Sequence, residues 1–151
     1  MRTGSRPERM PLAGREPVNR WFPFTRRASP LAFRISKEFH FSASHRLDHL
    51  DDGHPCSRLH GHNYVVELEL SAGDDDLTKA GFVRDYGELA EFKRWLDAEL
   101  DHRHLNDVVA DLNPSAENLA RWIHEKWRDG LPELTAVRVS ETGKTWAEYR
   151  V

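Results

Sequence analysis

Two stretches of the chain alternate apolar and polar residues, and histidine lies on the apolar phase of both. In the first stretch, residues 33–45, that phase holds Phe33, Ile35, Phe39, Phe41, Ala43 and His45. In the second, residues 60–71, it holds His60, His62, Tyr64, Val66, Leu68 and Leu70. Successive side chains of a β-strand point to opposite faces, so a period of two predicts two strands that each bury one face. The fold is therefore constrained to a sheet whose buried face carries histidines.

The middle of the chain has a helical period instead. Apolar side chains recur at three- and four-residue steps over residues 87–100, at Leu89, Phe92, Leu96 and Leu100. This stripe predicts an amphipathic helix. A second helix is predicted to begin at Ser115, a plausible N-cap, with Asn113 before Pro114 as a rival cap. Gly130 and Pro132 should end it.

Two short strands are predicted to close the chain. The first places Val137, Val139 and Glu141 on one face, and the second covers roughly residues 145–151. The order strand, strand, helix, helix, strand, strand predicts an α+β fold. Its expected form is a four-stranded antiparallel sheet with two helices on one face.

Residues 1–30 differ in composition from the rest. They hold seven of the 22 basic residues, two of the 25 acidic ones and five of the eight prolines. Their net charge is +5, against −8 for residues 31–151. We predict a disordered arm followed by a single domain over 31–151. An organellar transit peptide and a true start at Met10 are alternatives.

Overall charge and hydropathy limit the function classes. The formal net charge of −3 gives no reason to expect a nucleic-acid partner. No apolar run approaches the roughly 18 residues of a membrane span, and the N-terminus lacks the apolar core of a secretory signal. The single cysteine cannot form an intrachain disulfide, so the cysteine content does not favour an oxidising compartment. We therefore predict a cytoplasmic protein without a membrane partner.

The inward histidines are the strongest chemical signal. If the two alternating strands are neighbours, the imidazoles of His45, His60 and His62 converge. Three neutral imidazoles suit zinc and leave a fourth position open for water or substrate. The alternative is three core histidines bonded to backbone. A His-x-His pair aligned with a third inward histidine favours zinc.

Four further residues have more than one interpretation. Cys56 lies four residues before His60 and could be a fourth zinc ligand, an inert small residue, or a thiolate base or nucleophile. Asp101 and His102 could form a catalytic pair or simply a helix C-terminus. Glu141 could be a strand-end charge or could accept two hydrogen bonds from a guanine-like heterocycle.

Six short motifs, in their order along the chain, resemble those of a known family. They are Phe41-Ser-Ala-Ser-His45-Arg-Leu, Gly53-His-Pro-Cys56-Ser-Arg-Leu-His60-Gly-His62-Asn-Tyr, Gly81-Phe-Val-Arg-Asp85-Tyr, Leu100-Asp-His-Arg-His-Leu-Asn106, Asn113-Pro-Ser-Ala-Glu117-Asn and Ser140-Glu-Thr142. The set resembles the 6-pyruvoyl-tetrahydropterin synthase superfamily over residues 33–151. Within it, the chain looks most like the 6-carboxytetrahydropterin synthases of the queuosine and deazapurine pathway, because only three residues separate Cys56 from His60.

The resemblance implies a set of roles. It implies zinc on His45, His60 and His62, a catalytic Cys56, a proton-moving pair of Asp101 and His102, and a pterin-anchoring Glu141. It implies the tunnelling fold, whose subunits assemble into a barrel, and hence a homo-oligomer built on trimers, with a hexamer expected. The implied substrate is 7,8-dihydroneopterin triphosphate, and the implied products are 6-carboxy-5,6,7,8-tetrahydropterin, acetaldehyde and triphosphate. The alternatives are a 6-pyruvoyl-tetrahydropterin synthase and a non-catalytic, zinc-stabilised interaction protein. Arg58 and Lys144 are suggested as triphosphate contacts from their charge alone.

Overall fold

The computed structural model describes residues 32–51 and 53–151. The predicted arm over residues 1–30 lies outside them and stays a prediction. The chain order of elements is β1 (Phe33–His45), β2 (His60–Ala72), α1 (Ala90–Glu99), β3 (Arg103–His104), α2 (Leu105–Val108), α3 (Ala116–Trp127), β4 (Leu134–Ser140) and β5 (Ala147–Arg150).

The strands form one sheet in the order β3-β1-β2-β4-β5. The pairs β1–β2, β2–β4 and β4–β5 are antiparallel, as the sequence predicts. The α+β prediction is confirmed. The difference is β3, a two-residue fifth strand that pairs in parallel with Ala43 and Ser44 of β1. Two residues are too few to show an alternation, so β3 is not visible in the sequence pattern.

One face of the sheet is covered by α1 and α3. The inward side chains are buried there from Phe39 onward in β1 and from Tyr64 onward in β2. Phe39 packs edge-on against Phe92 of α1 with ring centroids 4.8 Å apart. The opposite face is polar: Arg138 pairs with Glu67, and Arg150 pairs with the buried Glu69. The alternation in the sequence thus separates the core from an ion-paired surface, which is the normal pattern for a one-sided antiparallel sheet.

Side-chain caps start α3 and the 3-10 turn that leads into α1. Asp85 accepts a hydrogen bond from the Gly87 N–H at 2.7 Å and starts a 3-10 turn over Tyr86–Leu89, which leads into α1. Ser115 caps α3 by accepting from the Asn118 N–H at 3.4 Å. The rival cap Asn113 binds another part of the chain. Across the described residues, no helix combines the length and apolar character that a bilayer crossing needs.

Candidate active site

Three imidazoles meet at one end of the β1–β2 pair. The register places His60 opposite His45 and His62 opposite Ala43, so all three side chains leave the same face. The Nε2 atoms of His45 and His60 are 3.0 Å apart. One nitrogen from each of the three histidines lies within 4.8 Å of the other two, in the only such group of ligating side chains found among the described residues.

The outer nitrogens of two rings are fixed by backbone carbonyls. His45 Nδ1 donates to the Pro114 carbonyl at 2.8 Å, and His60 Nδ1 donates to the Arg58 carbonyl at 2.7 Å. A carbonyl only accepts, so in the neutral rings the proton sits on Nδ1 and the lone pair on Nε2. Two Nε2 lone pairs then face each other, an arrangement that requires a shared cation or an added proton. Such outer hydrogen bonds are typical of metal-ligating histidines.

His62 supplies the observation that best tests the fit to a metal. Its Nε2 atom is buried and has no hydrogen-bond partner among residues 32–51 and 53–151. Buried polar atoms are nearly always paired, so an unpaired ring nitrogen beside two converging lone pairs fits a cation site. Burial is also the main influence on His45, which is 1% exposed, and it lowers the pKa of that imidazole. A lowered pKa keeps the ring neutral, the form that binds metal. The three histidines form a possible metal site.

Cys56 lies in a 3-10 turn over Pro55–Ser57, between β1 and β2. Its N–H donates to His54 Nδ1 at 3.1 Å, and its carbonyl accepts from the Leu47 N–H at 2.8 Å. The thiol is partly exposed and does not belong to the group of mutually close ligand atoms. This arrangement favours an open three-histidine site over one closed by a cysteine ligand.

Asp101 and His102 bond each other directly, which neighbouring residues rarely do. The Asp101 carboxylate accepts from His102 Nδ1 at 2.8 Å, and the backbone of His102 has a positive φ of 56°. The two residues therefore form a hydrogen-bonded pair just after the C-terminus of α1. Ser42 fixes the pair to β1: its N–H donates to Asp101, and its carbonyl accepts from the His102 N–H. The Ser42 N–H, followed by His102, lowers the pKa of Asp101.

Glu141 follows the last residue of β4 and reaches the histidine group. One of its carboxylate oxygens lies 3.9 Å from His45 Nε2, and it lines a cavity of about 180 Å³ with Ser115 and Trp146. Tyr64, the next inward residue after His62, has a buried hydroxyl with no hydrogen-bond partner. Sequence reasoning missed Tyr64, because a tyrosine on an inward phase looks like any core aromatic residue.

A larger open groove of about 490 Å³ connects two parts of the site. His62 and His102 both line it, together with Ser42 and Asn63. The two sequence-suggested triphosphate contacts have exposed side chains: Arg58 precedes β2, and Lys144 lies between β4 and β5. The structure therefore brings His45, His60, His62 and Glu141 together and links His102 to them through this groove.

Comparison with known proteins agrees with this geometry. The sequence profile described as 6-pyruvoyl tetrahydropterin synthase matches residues 34–151. The chain belongs to this family. The 6-carboxy-5,6,7,8-tetrahydropterin synthase of Synechocystis sp. is 35% identical over 119 residues, covering 76% of this chain and 91% of that protein. The dihydroneopterin monophosphate aldolase of Pyrococcus furiosus is 38% identical over 74 residues, 49% of this chain and 60% of that protein.

Among solved structures, the 6-pyruvoyl tetrahydropterin synthase of Caenorhabditis elegans superimposes with a TM-score of 0.69 at 26% identity. The match covers 82% of this chain and 98% of that one. The predicted tunnelling fold and the prediction of an enzyme, a lyase of the pterin synthase family, are confirmed. Membership in this family makes the chain a pterin-processing protein.

Proposed function

We propose that this pterin synthase family member, with zinc, converts 7,8-dihydroneopterin triphosphate and water into 6-carboxy-5,6,7,8-tetrahydropterin, acetaldehyde and triphosphate. The observation that carries the zinc proposal is the unpaired, buried Nε2 of His62 beside the facing Nε2 atoms of His45 and His60. The Synechocystis relative, 35% identical, is named for the 6-carboxy product, and this name supports that product here. The product would feed queuosine or deazapurine synthesis.

His45, His60 and His62 would hold the zinc ion, which when bound supplies a Lewis acid that lowers the pKa of hydroxyl groups. Hydrogen bonds from His45 to the Pro114 carbonyl and from His60 to the Arg58 carbonyl keep both Nε2 atoms aimed inward. This prior orientation avoids reorganisation when the site fills.

The remaining groups supply proton transfer and binding. Cys56, as thiolate, takes a proton from the substrate side chain. His102 moves protons on the other face of the substrate, because Asp101 fixes its Nδ1–H and leaves Nε2 free to accept. Glu141 accepts hydrogen bonds from the pterin amino group and ring N–H, which fixes the register of the ring.

Assembly into a trimer-based homo-oligomer belongs to the same proposal. The His102 side chain is 82% exposed in the single chain, although a proton-transferring group works best where water is excluded. A neighbouring subunit over the groove would supply that cover.

The experiment that tests the function is incubation with dihydroneopterin triphosphate and zinc, followed by mass analysis of the products. Formation of 6-carboxy-5,6,7,8-tetrahydropterin together with acetaldehyde supports the proposal. A product that keeps the three-carbon side chain would instead establish the second candidate, a 6-pyruvoyl-tetrahydropterin synthase, which the C. elegans structural match favours.

Cys56→Ala separates the three roles considered for the thiol. As a proton-transferring group, Cys56 should contribute about 10²–10⁴-fold to turnover. Zinc content and pterin binding should persist, since neither the histidines nor Glu141 changes. Loss of zinc would make Cys56 a ligand, and near-normal turnover would make it an inert residue.

A further inference from the structure

Two asparagine side chains hold the segment that leaves β1 after His45. Asn106 accepts from the Arg46 N–H and donates to the Arg46 carbonyl, both at 3.0 Å. Asn113 accepts from the Asp48 N–H at 2.9 Å and donates to the Asp48 carbonyl at 3.0 Å. Each amide therefore satisfies both backbone groups of one residue, as a neighbouring strand would. We refer to these four hydrogen bonds as the asparagine clamp.

The clamp extends β1 beyond its last paired residue. β3 pairs with β1 only at Ala43 and Ser44, and Asn106 continues that edge with a side chain. In an extended segment, successive residues direct their backbone groups to opposite sides. Arg46 and Asp48 therefore face the asparagines, while Leu47 faces the other way.

Leu47 connects the clamp to the cysteine. Its N–H donates to the Cys56 carbonyl at 2.8 Å. This bond takes the place of the next rung of the β1–β2 ladder, beyond the pair His45–His60. The position of the turn over Pro55–Ser57 therefore depends on where Leu47 is held, and the asparagines hold Leu47 on both sides.

The geometry points to a role for Asn106 and Asn113 as positioning residues for Cys56. Among the described residues, neither side-chain amide hydrogen-bonds to the histidine group or to the groove residues named above, and both act through the backbone of residues 46–48. The inference rests on the proposed role of Cys56 in turnover, but the position of the thiol can be measured without any turnover. Because a misplacement of about 1 Å can cost about 10²-fold, four hydrogen bonds at this point are enough to affect rate.

The substitutions Asn106→Ala and Asn113→Ala remove the clamp while leaving the rest intact. Asn113→Ala keeps the backbone carbonyl that the Ser115 N–H and the Asn118 amide bind, so the turn that presents Pro114 to His45 is retained. The clamp bonds are exposed, so each single variant should fold. Thr78→Ala is the matched control: it removes a side-chain bond to the Phe82 N–H in an exposed turn beyond the far end of β2.

Cys56 is the chain's one cysteine, so a thiol-alkylating reagent reports on that position alone. In each asparagine variant and in the double variant, we expect the alkylation rate to rise several-fold, because the released turn exposes the thiol. We expect kcat to fall by up to about 10²-fold with KM little changed and zinc retained. The control should match wild type in alkylation rate and kcat, with a Tm loss like that of the single variants.

Three results would overturn the inference. An unchanged alkylation rate in the folded variants would show that the clamp does not hold the thiol. Faster alkylation with normal kcat would show that its position does not matter for turnover. Loss of zinc would show that the clamp acts on His45 instead. Full turnover of Cys56→Ala would defeat the proposed role of the thiol and leave the alkylation result standing, so the two failures are distinguishable.

Discussion

Substitution of His62 gives the sharpest test of the metal site, because its effect depends on whether metal is present. Without metal, the buried Nε2 of His62 has no partner. An unsatisfied buried polar atom costs about 1–3 kcal/mol, so its removal offsets much of the packing lost in His62→Ala. We therefore expect the metal-free variant to unfold close to metal-free wild type.

With metal, the two proteins should differ strongly. A ligand present at about 1,000 times its Kd stabilises the folded state by about 4.1 kcal/mol. For a domain of this size, that corresponds to a Tm increase of roughly 15 °C. Wild type should show this increase in zinc relative to chelator. His62→Ala, with two imidazoles left, should show little of it.

The assay is calorimetry of wild type and His62→Ala, each in chelator and in excess zinc, with bound metal measured after dialysis. His40→Ala is the control, since this exposed histidine lies on the opposite face of β1 and should respond to zinc as wild type does. A wild-type Tm that is the same in zinc and in chelator would refute the reasoning. A Tm increase in zinc as large in His62→Ala as in wild type would also refute it.

Three other predictions concern the rest of the molecule. Deletion of residues 1–30 should leave activity and Tm nearly unchanged, and a large fall in Tm would show that the arm is structural. Light scattering at micromolar concentration should report a trimer-based oligomer, and a monomer would contradict the proposal that a neighbouring subunit covers the groove. Because the pKa of Asp101 lies below its unfolded value of 3.8, its contribution to stability is complete above that pH and is lost as pH falls through the folded pKa. The free energies of unfolding of wild type and Asp101→Asn should therefore converge as the pH is lowered. A difference between them that does not change with pH would show that the Ser42 and His102 contacts do not act on this carboxylate.

The sheet and its inward-facing histidines could be predicted because one local rule, the period of two, governs both. Once β1 and β2 are antiparallel neighbours, the convergence of His45, His60 and His62 follows from the register. The helix predicted over residues 87–100 appears as a 3-10 turn and α1, because Asp85 binds Gly87 N–H and tightens the first turn.

Other parts of the site depend on contacts that no local pattern encodes. The bond between Asp101 and His102 is made with a left-handed backbone at His102, and the adjacent sequence does not predict that conformation. Asn113 is a plausible helix cap by sequence, yet its amide binds Asp48, 65 residues away along the chain. Such pairings between distant residues appear only when the chain is folded.

The unpaired edges of the sheet have a consequence for the fate of a lone subunit. Among residues 32–51 and 53–151, β3 covers β1 only at Ala43 and Ser44, and β5 has only β4 as a strand partner. Open strand edges invite pairing with other chains. In the proposed oligomer, damage to a subunit contact would then lower the yield of intact protein through precipitation and proteolysis before any kinetic defect could be measured. Solubility during expression would thus be an early readout of the proposed assembly.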